Sequence, residues 1–388
     1  MNPIRFGIVG AGTMGSGIAA LAAIKGHKVV LYDIEQAAVV RAKDSTARIF
    51  SKQKQKVASF HSASLNEPEH NITYSSDIME LAECELVIEA VIEDLDTKQS
   101  VFSRLESFVP DNTIIATNTS SLSITSISSV CKNPERTIGT HFFNPAHLMK
   151  LVEVIPGLNT KPDVVEKVKT ILTALGKITV LAKDTPGFIV NRIARPFYGE
   201  ALRIYEEGIA GFATIDWAMK TFGNFPMGPF ELMDLIGNDI NFRVTNTIYN
   251  DTFFDPRYKP SQVQKRLVEA NYLGRKTGRG FYHYDDEFKN PMPEANSELG
   301  YEIFFRILSM LINEAADAVF MNVASVIDID TAMTNGVNYP KGLLKWADDI
   351  GIEKVFDNIV MLHEEYSEER YRPSPLLKRM VRNNKSFY

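Results

Sequence analysis

Cysteine is nearly missing from this 388-residue chain: only Cys84 and Cys131 occur, and they form no metal-type spacing. Two thiols are too few for a disulfide framework, and they suit a reducing compartment. Long hydrophobic runs are lacking too. Nothing approaches the ~18 consecutive apolar residues of a membrane span, and the apolar stretch 18–24 follows glycines at 10, 12, 15 and 17, which a signal peptide would not need. No Arg- and Ser-rich presequence precedes the first strand pattern, so the cytoplasm is the expected location and no membrane partner is expected. Positive charge is in no excess; the formal net charge is −6, and no basic field argues for nucleic acid. No cluster of metal ligands stands out.

What is present first is alternation. Short apolar runs at 5–10, 28–33, 86–91, 113–118, 137–143, 151–155 and 178–183 are separated by helical patterns such as 14–25, 96–107 and 162–175. Near-continuous apolar strands suit a parallel sheet covered on both faces, so the first part reads as a doubly wound α/β unit. Asp184-Thr185-Pro186-Gly187 is a turn, and beyond it strand signals stop. The rest is helical, interrupted by a polar, proline-containing stretch at 285–299 that reads as a linker.

The helical part is written twice. Glu200 repeats as Glu314, Ile215-Asp216 as Ile329-Asp330, Pro226 and Gly228 as Pro340 and Gly342, Asp234 as Asp348, and Ile236-Gly237 as Ile350-Gly351, each 114 positions apart. The match resumes one residue out of step at Tyr258/Tyr371, Pro260/Pro373 and Ser261/Ser374. One offset kept through so many identities implies a duplicated domain. The expected division is 1–184 for the α/β domain, 185–284 for the first helical copy, 285–299 for the linker and 300–388 for the second copy. The second copy lacks the Gly-Arg-Lys loop that precedes Phe281-Tyr282, which marks it as a structural copy rather than a second site.

Gly10-Ala11-Gly12-Thr13-Met14-Gly15 is a G-x-G-x-x-G turn between the first strand and first helix. The first glycine permits the turn, the second lets backbone approach a pyrophosphate, and the third lets helix pack on strand. The helix N-terminus then offers unpaired N–H groups to the phosphates. The second strand ends in Asp33, 18 positions after Gly15. A carboxylate there accepts from ribose hydroxyls and repels a 2′-phosphate, so the cofactor reads as NAD, on a Rossmann-type sheet followed by two tandem all-α domains.

Five segments, taken in order, resemble the L-3-hydroxyacyl-CoA dehydrogenase family, 3-hydroxybutyryl-CoA dehydrogenases included. They are Asn118-Thr119-Ser120-Ser121-Leu122, His141-Phe142-Phe143-Asn144-Pro145, Lys150-Leu151-Val152-Glu153-Val154, the stretch 184–192, and Phe225-Pro226-Met227-Gly228-Pro229. One departure is Ala146-His147-Leu148, where the family usually has a second proline. The resemblance implies reversible, NAD-dependent oxidation of an L-3-hydroxyacyl-CoA thioester to the 3-ketoacyl-CoA. It implies His141 as general base, Glu153 as its partner, and Ser120 and Asn191 as groups holding the substrate. The cofactor contacts implied, beyond Gly10, Gly12, Thr13, Met14, Gly15 and Asp33, are Glu93, Lys98, Asn144 and Lys276. From the residues alone, His141 closing a strand and Glu153 twelve positions on, in the next strand, allow a carboxylate to meet an imidazole, whose unperturbed pKa of ~6.5 suits a base. A packed strand-end histidine is the plain alternative.

Arg41, Lys43, Arg48, Lys52, Lys54 and Lys56 make a cationic helical arm with one acid, Asp44. In the family this region contacts coenzyme A, and Lys52 and Lys56 are the candidates here, although charge runs are often only solvated faces. The alternative activity is a dehydrogenase of a free hydroxy acid, of the L-gulonate 3-dehydrogenase type, which needs no such arm. Short family members dimerise through one helical domain. The duplication therefore implies either a monomer with an internal pseudo-dimer or a homodimer.

Overall fold

The computed structural model describes residues 3–58, 67–285 and 288–388, without the side chains of 56–58. Two compact units divide it, Met1–Thr185 and Pro186–Tyr388.

The first unit is an eight-stranded sheet of β1 (Arg5–Val9), β2 (Lys28–Tyr32), β3 (Ile72–Ser75), β4 (Leu86–Glu89), β5 (Ile114–Thr117), β6 (Thr137–Phe142), β7 (Leu151–Pro156) and β8 (Ile178–Leu181). Their order is β3-β2-β1-β4-β5-β6-β7-β8. The strands from β3 to β6 are parallel, whereas β7 runs antiparallel to β6 and β8 runs parallel to β7. The all-parallel sheet expected from the apolar runs is thus corrected at one edge. Only a hairpin connection can follow Phe142, because eight residues hold no crossover helix. Strand β3 escaped the sequence reading since Ile72, Thr73, Tyr74 and Ser75 make no apolar run.

Successive side chains alternate between two cores. Phe6, Ile8, Leu86, Ile88, Ile138 and Phe142 pack with α1 (Thr13–Ile24), α2 (Gln36–Ala58) and α5 (Pro162–Ala174). Val9, Val30, Val87 and Ile115 pack with α3 (Leu95–Glu106) and α4 (Ile124–Ser128) on the other face. This is the doubly wound arrangement, and its strand order reverses between β1 and β4, where a crevice opens at the carboxyl ends.

The second unit runs α6 (Val190–Ile193), α7 (Arg195–Glu206), α8 (Phe212–Gly223), α9 (Pro229–Ile236), α10 (Asn238–Asp251), α11 (Gln262–Glu269), then α12 (Ser297–Phe320), α13 (Val326–Gly336), α14 (Leu343–Ile350), α15 (Ile352–Tyr366) and α16 (Pro375–Arg382). From α8/α13 to α11/α16 the helices repeat in register with the duplication. The first of the pairs differs. Pro196 sits at the start of α7 and splits it from α6, whereas its counterpart Met310 lets α12 run unbroken. Helix α12 also begins inside the stretch 285–299 read as linker.

The repeated acids have structural work. Asp216 accepts from the Phe230 and Glu231 backbone N–H groups at 2.9 Å each, and Asp330 from those of Leu344 and Lys345 at 2.9 Å each. Asp234 holds Phe281 and Tyr282, and Asp348 holds Phe387 and Tyr388, in the same way. Each pair satisfies orphan donors at a chain turn.

The two copies also bind each other reciprocally. Arg192 donates to Glu314 at 2.6 Å, and Arg306, its counterpart 114 positions on, donates to Glu200 at 2.6 Å. Tyr258 donates to Glu314 and Tyr371 to Glu200. Residue i meeting j′ while i′ meets j is the pattern of an isologous interface, here inside one chain. Glu314 is 2% exposed and also faces Arg257. Glu314→Ala takes a shared acceptor from Arg192 and Arg257, leaving Arg192 only Asp317 and Arg257 only Asp255 and Asp317, and should cost about 3–5 kcal/mol in urea unfolding; a loss under about 1 kcal/mol would show the contact to be incidental.

Candidate active site

The crevice at the carboxyl ends of β1, β2, β4, β5 and β6 gathers most of the predicted residues of the first unit. Gly10 has φ +103°, a left-handed conformation, and a Cβ there would lie 2.7 Å from the Ala90 carbonyl oxygen. At Gly15 a Cβ would lie 1.8 Å from the Gly10 oxygen, so α1 touches the turn through a glycine. Gly12 is different: its backbone is extended, and a Cβ there would meet nothing within 4 Å. That open space lies at the N-terminus of α1, which has no side-chain cap and no acid in its first turn. A pyrophosphate fits such a place, receiving the helix dipole and its unpaired N–H groups. Asp33 closes the turn, accepting from the Ala11 N–H at 2.8 Å through Oδ2. Thr13 and Met14 open the helix itself.

Glu93 organises the loop after β5. Its Oε1 accepts from the backbone N–H groups of Ser120 and Ser121 at 2.8 and 3.1 Å and from the hydroxyls of Thr119, Ser120 and Ser121. Burial pushes its carboxyl up, but Lys98 and the bonds from Thr119 and Ser120 prevail and hold it below the ordinary value. Lys98 is 1% exposed; its Nζ donates to Glu89 at 2.7 Å and stands 3.4 Å from Glu93. Glu89, fully buried, also accepts from Thr117 Oγ1 and the Val91 N–H. Neither Glu89 nor Thr117 was singled out from sequence. The only available signal was an acid ending an apolar strand, which no periodicity rule explains.

The decisive geometry lies across β6 and β7. Antiparallel register sets His141 directly opposite Glu153, and His141 Nδ1 stands 2.6 Å from Glu153 Oε2. Glu153 is fully buried and His141 is 6% exposed. The Phe143 ring lies 4.5 Å from the imidazole. Asn118, at the end of β5, accepts from the Phe142 N–H at 2.9 Å and ties the two strand ends together.

The β6–β7 loop is pinned from below. Lys177 donates to the carbonyls of Ala146 and Met149, and burial lowers its ammonium to about 8. Ala146 rests on α1 where Gly17 leaves room. Asn144, joined to Pro145 by a cis peptide bond, is exposed three residues beyond His141.

The remaining predicted residues lie elsewhere. Asn191 is in α6 of the second unit, and its carbonyl accepts from Arg195. Lys276, in the same unit, forms an ion pair with Asp239. On α2, Lys52 is exposed and Lys54 is committed to Glu69 at 2.8 Å; the side chain of Lys56 lies outside the described residues.

Comparison with known families identifies the chain's family. The model of the 3-hydroxyacyl-CoA dehydrogenase NAD-binding domain matches residues 5–185, and that of the C-terminal domain matches 187–284 and 303–386. The chain belongs to this family. It is similar to a 3-hydroxyadipyl-CoA dehydrogenase of Escherichia coli, with 37% identity and 97% of each chain covered. It is similar also to a 3-hydroxybutyryl-CoA dehydrogenase of Clostridioides difficile, with 40% identity over 73% of this chain and 100% of that one. A crystal structure of 3-hydroxybutyryl-CoA dehydrogenase from Escherichia coli superposes with a TM-score of 0.92 at 35% identity, covering 99% of both chains. The chain is accordingly an NAD-dependent oxidoreductase of 3-hydroxyacyl-CoA dehydrogenase type, and its two C-terminal matches coincide with the duplicated helices. No described helix is long and apolar enough to cross a membrane.

The glycine turn makes a separable expectation for this dehydrogenase. Gly12→Ala should leave the melting temperature unchanged yet weaken NAD binding about 10-fold or more, the scale of a lost charge-assisted contact, whereas Gly15→Ala should lower both. Equal NAD affinity in the Gly12→Ala variant, by fluorescence titration, would mean that the pyrophosphate lies elsewhere.

Proposed function

We propose that His141 takes the hydroxyl proton of an L-3-hydroxyacyl-CoA thioester with Glu153 as its partner. The contact between His141 and Glu153 inside a buried strand pair carries this reading. Oxidising a secondary alcohol removes a proton from oxygen and a hydride from carbon. NAD, when bound, accepts the hydride, so the protein must manage the proton. A carboxylate that accepts from Nδ1 fixes the imidazole tautomer and directs proton exchange to Nε2. It also stabilises the imidazolium as it forms. In the reverse direction the same nitrogen returns the proton to the 3-keto oxygen.

Ser120, oriented by Glu93, is suited to hydrogen-bond the reacting oxygen, and Asn191 is assigned to the substrate because it stands in the family's motif. Asp33 suits the adenosine ribose hydroxyls. Lys98 has almost no exposed surface and acts on the cofactor side through Glu93; Asn144 and Lys276 complete the proposed contacts. Lys52 is the better described candidate for coenzyme A, because Lys54 is spent on Glu69. The relatives named above act on thioesters by their names, which favours this reading over a free hydroxy acid. The cytoplasm is the proposed compartment, since both cysteines are free thiols.

The test is NADH formation from L-3-hydroxybutyryl-CoA and longer thioesters. His141→Ala should lower kcat at least about 10²-fold, as loss of a general base does, and Glu153→Gln should lower kcat with little change in KM for the thioester. Undiminished turnover in His141→Ala removes the assignment. Free coenzyme A should compete with substrate; absence of competition would favour a free hydroxy acid.

The reciprocal contacts between helical copies further suggest that the second copy fills the face a partner subunit would use. Light scattering of the chain cut after Leu299 should then show self-association or unfolding. A stable monomer from that fragment would contradict the internal pairing.

A further inference from the structure

The pseudo-two-fold of the helical unit is broken at one corner, and two substitutions break it together. Arg257 and Arg370 are counterparts. Arg257 is saturated with acid: Asp255, Glu314 and Asp317 all accept from it. Arg370 has no such company. It is 8% exposed, its Nε has no hydrogen-bond partner, and among the described residues no carboxylate lies within ion-pair distance of it. A guanidinium without an acid beside it whose Nε is buried without a hydrogen-bond partner is costly, and a native structure that keeps one invites an explanation.

The cause is visible in the sequence. Where the first corner has Asp317, the second has Arg203, so an acid is replaced by a base. Arg203 itself is fully engaged, with Glu207 at 2.8 Å and with both oxygens of Glu368 at 2.7 and 2.9 Å. Glu368 is therefore spoken for, as is Glu200, which receives Arg306 and Tyr371.

The second change makes room. Asn313 fills the first corner, accepting from the Ser374 N–H at 2.7 Å and donating to the Arg372 carbonyl at 3.0 Å. Its counterpart in the second corner is Gly199, where a Cβ would meet nothing within 4 Å. No side chain at 199 can reach the backbone of Ser261, the counterpart of Ser374. A cavity of about 340 Å³ results, lined among others by Gly199, Arg203, Glu206, Glu207, Lys259, Ser261 and Arg370. Glu206 is occupied by the Ser261 hydroxyl and the Val263 N–H, and Glu207 by Arg203, Arg306 and Tyr366. Apart from the neutral, exposed Gln262, what remains uncommitted in the lining is cationic: Arg370 and the exposed Lys259.

We propose that this corner is a binding site for a phosphate group carried by a small molecule, with Arg370 and Lys259 as its cations. A guanidinium with unused N–H donors matches phosphate oxygens, and the volume is that of a small ligand pocket, larger than one ion requires. The anion supplies the negative charge that Asp317 supplies at the twin corner, and it links α7 and the start of α11 to the segment before α16.

The experiment uses the full chain at constant ionic strength, with inorganic phosphate, adenosine 3′-phosphate and adenosine as probes, read by calorimetric titration and by melting temperature. Phosphate also enters other sites and stabilises proteins generally, so the informative quantity is the difference from two variants. Arg370→Met removes the cation; Gly199→Asn refills the cavity as in the twin corner. Each should weaken phosphate or adenosine 3′-phosphate binding at this site by about 10-fold or more, and adenosine should not bind there. Arg370→Met should be no less stable than the parent without ligand, since it removes an unpaired buried charge. Saturation by inorganic phosphate alone identifies the free ion as sufficient, and saturation only by the nucleotide identifies a phosphate monoester. Identical titrations for parent and both variants, or no binding by either phosphate probe, overturn the proposal.

Discussion

The catalytic reading depends on one strand pairing. Because β7 turns back along β6, Glu153 falls opposite His141 on the same face of the sheet, and burial on both sides leaves the carboxylate little choice of partner. A slip of one residue would send Glu153 to the opposite face, into the core of Val152 and Val154, and leave His141 opposite an apolar side chain. Register is held by alternation: Ile138 and Phe142, with Val152 and Val154, fill one core, so His141 and Glu153 must share the other face. Lys177 and Asn118 both fix the loop end of the hairpin. The chemistry is therefore specified by the same hydrophobic pattern that specifies the sheet.

A similar economy governs the nucleotide crevice and the helical unit. Gly10 and Gly15 are required by the protein's own packing, while Gly12 is required by nothing inside the chain and leaves space at a helix N-terminus. In the helical unit, duplication supplies an interface that matches itself, with Glu200 and Glu314 each receiving an arginine and a tyrosine from the other copy. The symmetry is enforced where acids cap turns and relaxed where Gly199 and Arg203 stand in place of Asn313 and Asp317, leaving Arg370 without the acids that its counterpart Arg257 has.

Much of this was legible in the residues. The glycine turn, Asp33, the end of the strand region at 184–187 and the duplication were read directly, because each rests on a local rule or a repeated offset. His141 and Glu153 required the family's motifs, since spacing alone fits a packed histidine equally well. The antiparallel edge was missed because an apolar run does not reveal strand direction; the eight-residue gap after Phe142 was the cue. Strand β3 was hidden by its polar alternation. Glu89 and the near-complete burial of Lys98 were illegible, because a lysine on a helix reads as a surface residue until the acid beneath it is located. The unpaired Arg370 could be seen only by setting the two copies side by side in three dimensions.

The most direct examination of the central pair is ¹⁵N NMR of the His141 imidazole in the intact chain. The Glu153 contact requires the neutral ring to carry its proton on Nδ1 and none on Nε2, with that preference lost in Glu153→Ala. A spectrum showing His141 as the Nε2–H tautomer, unchanged by removal of Glu153, would contradict the account.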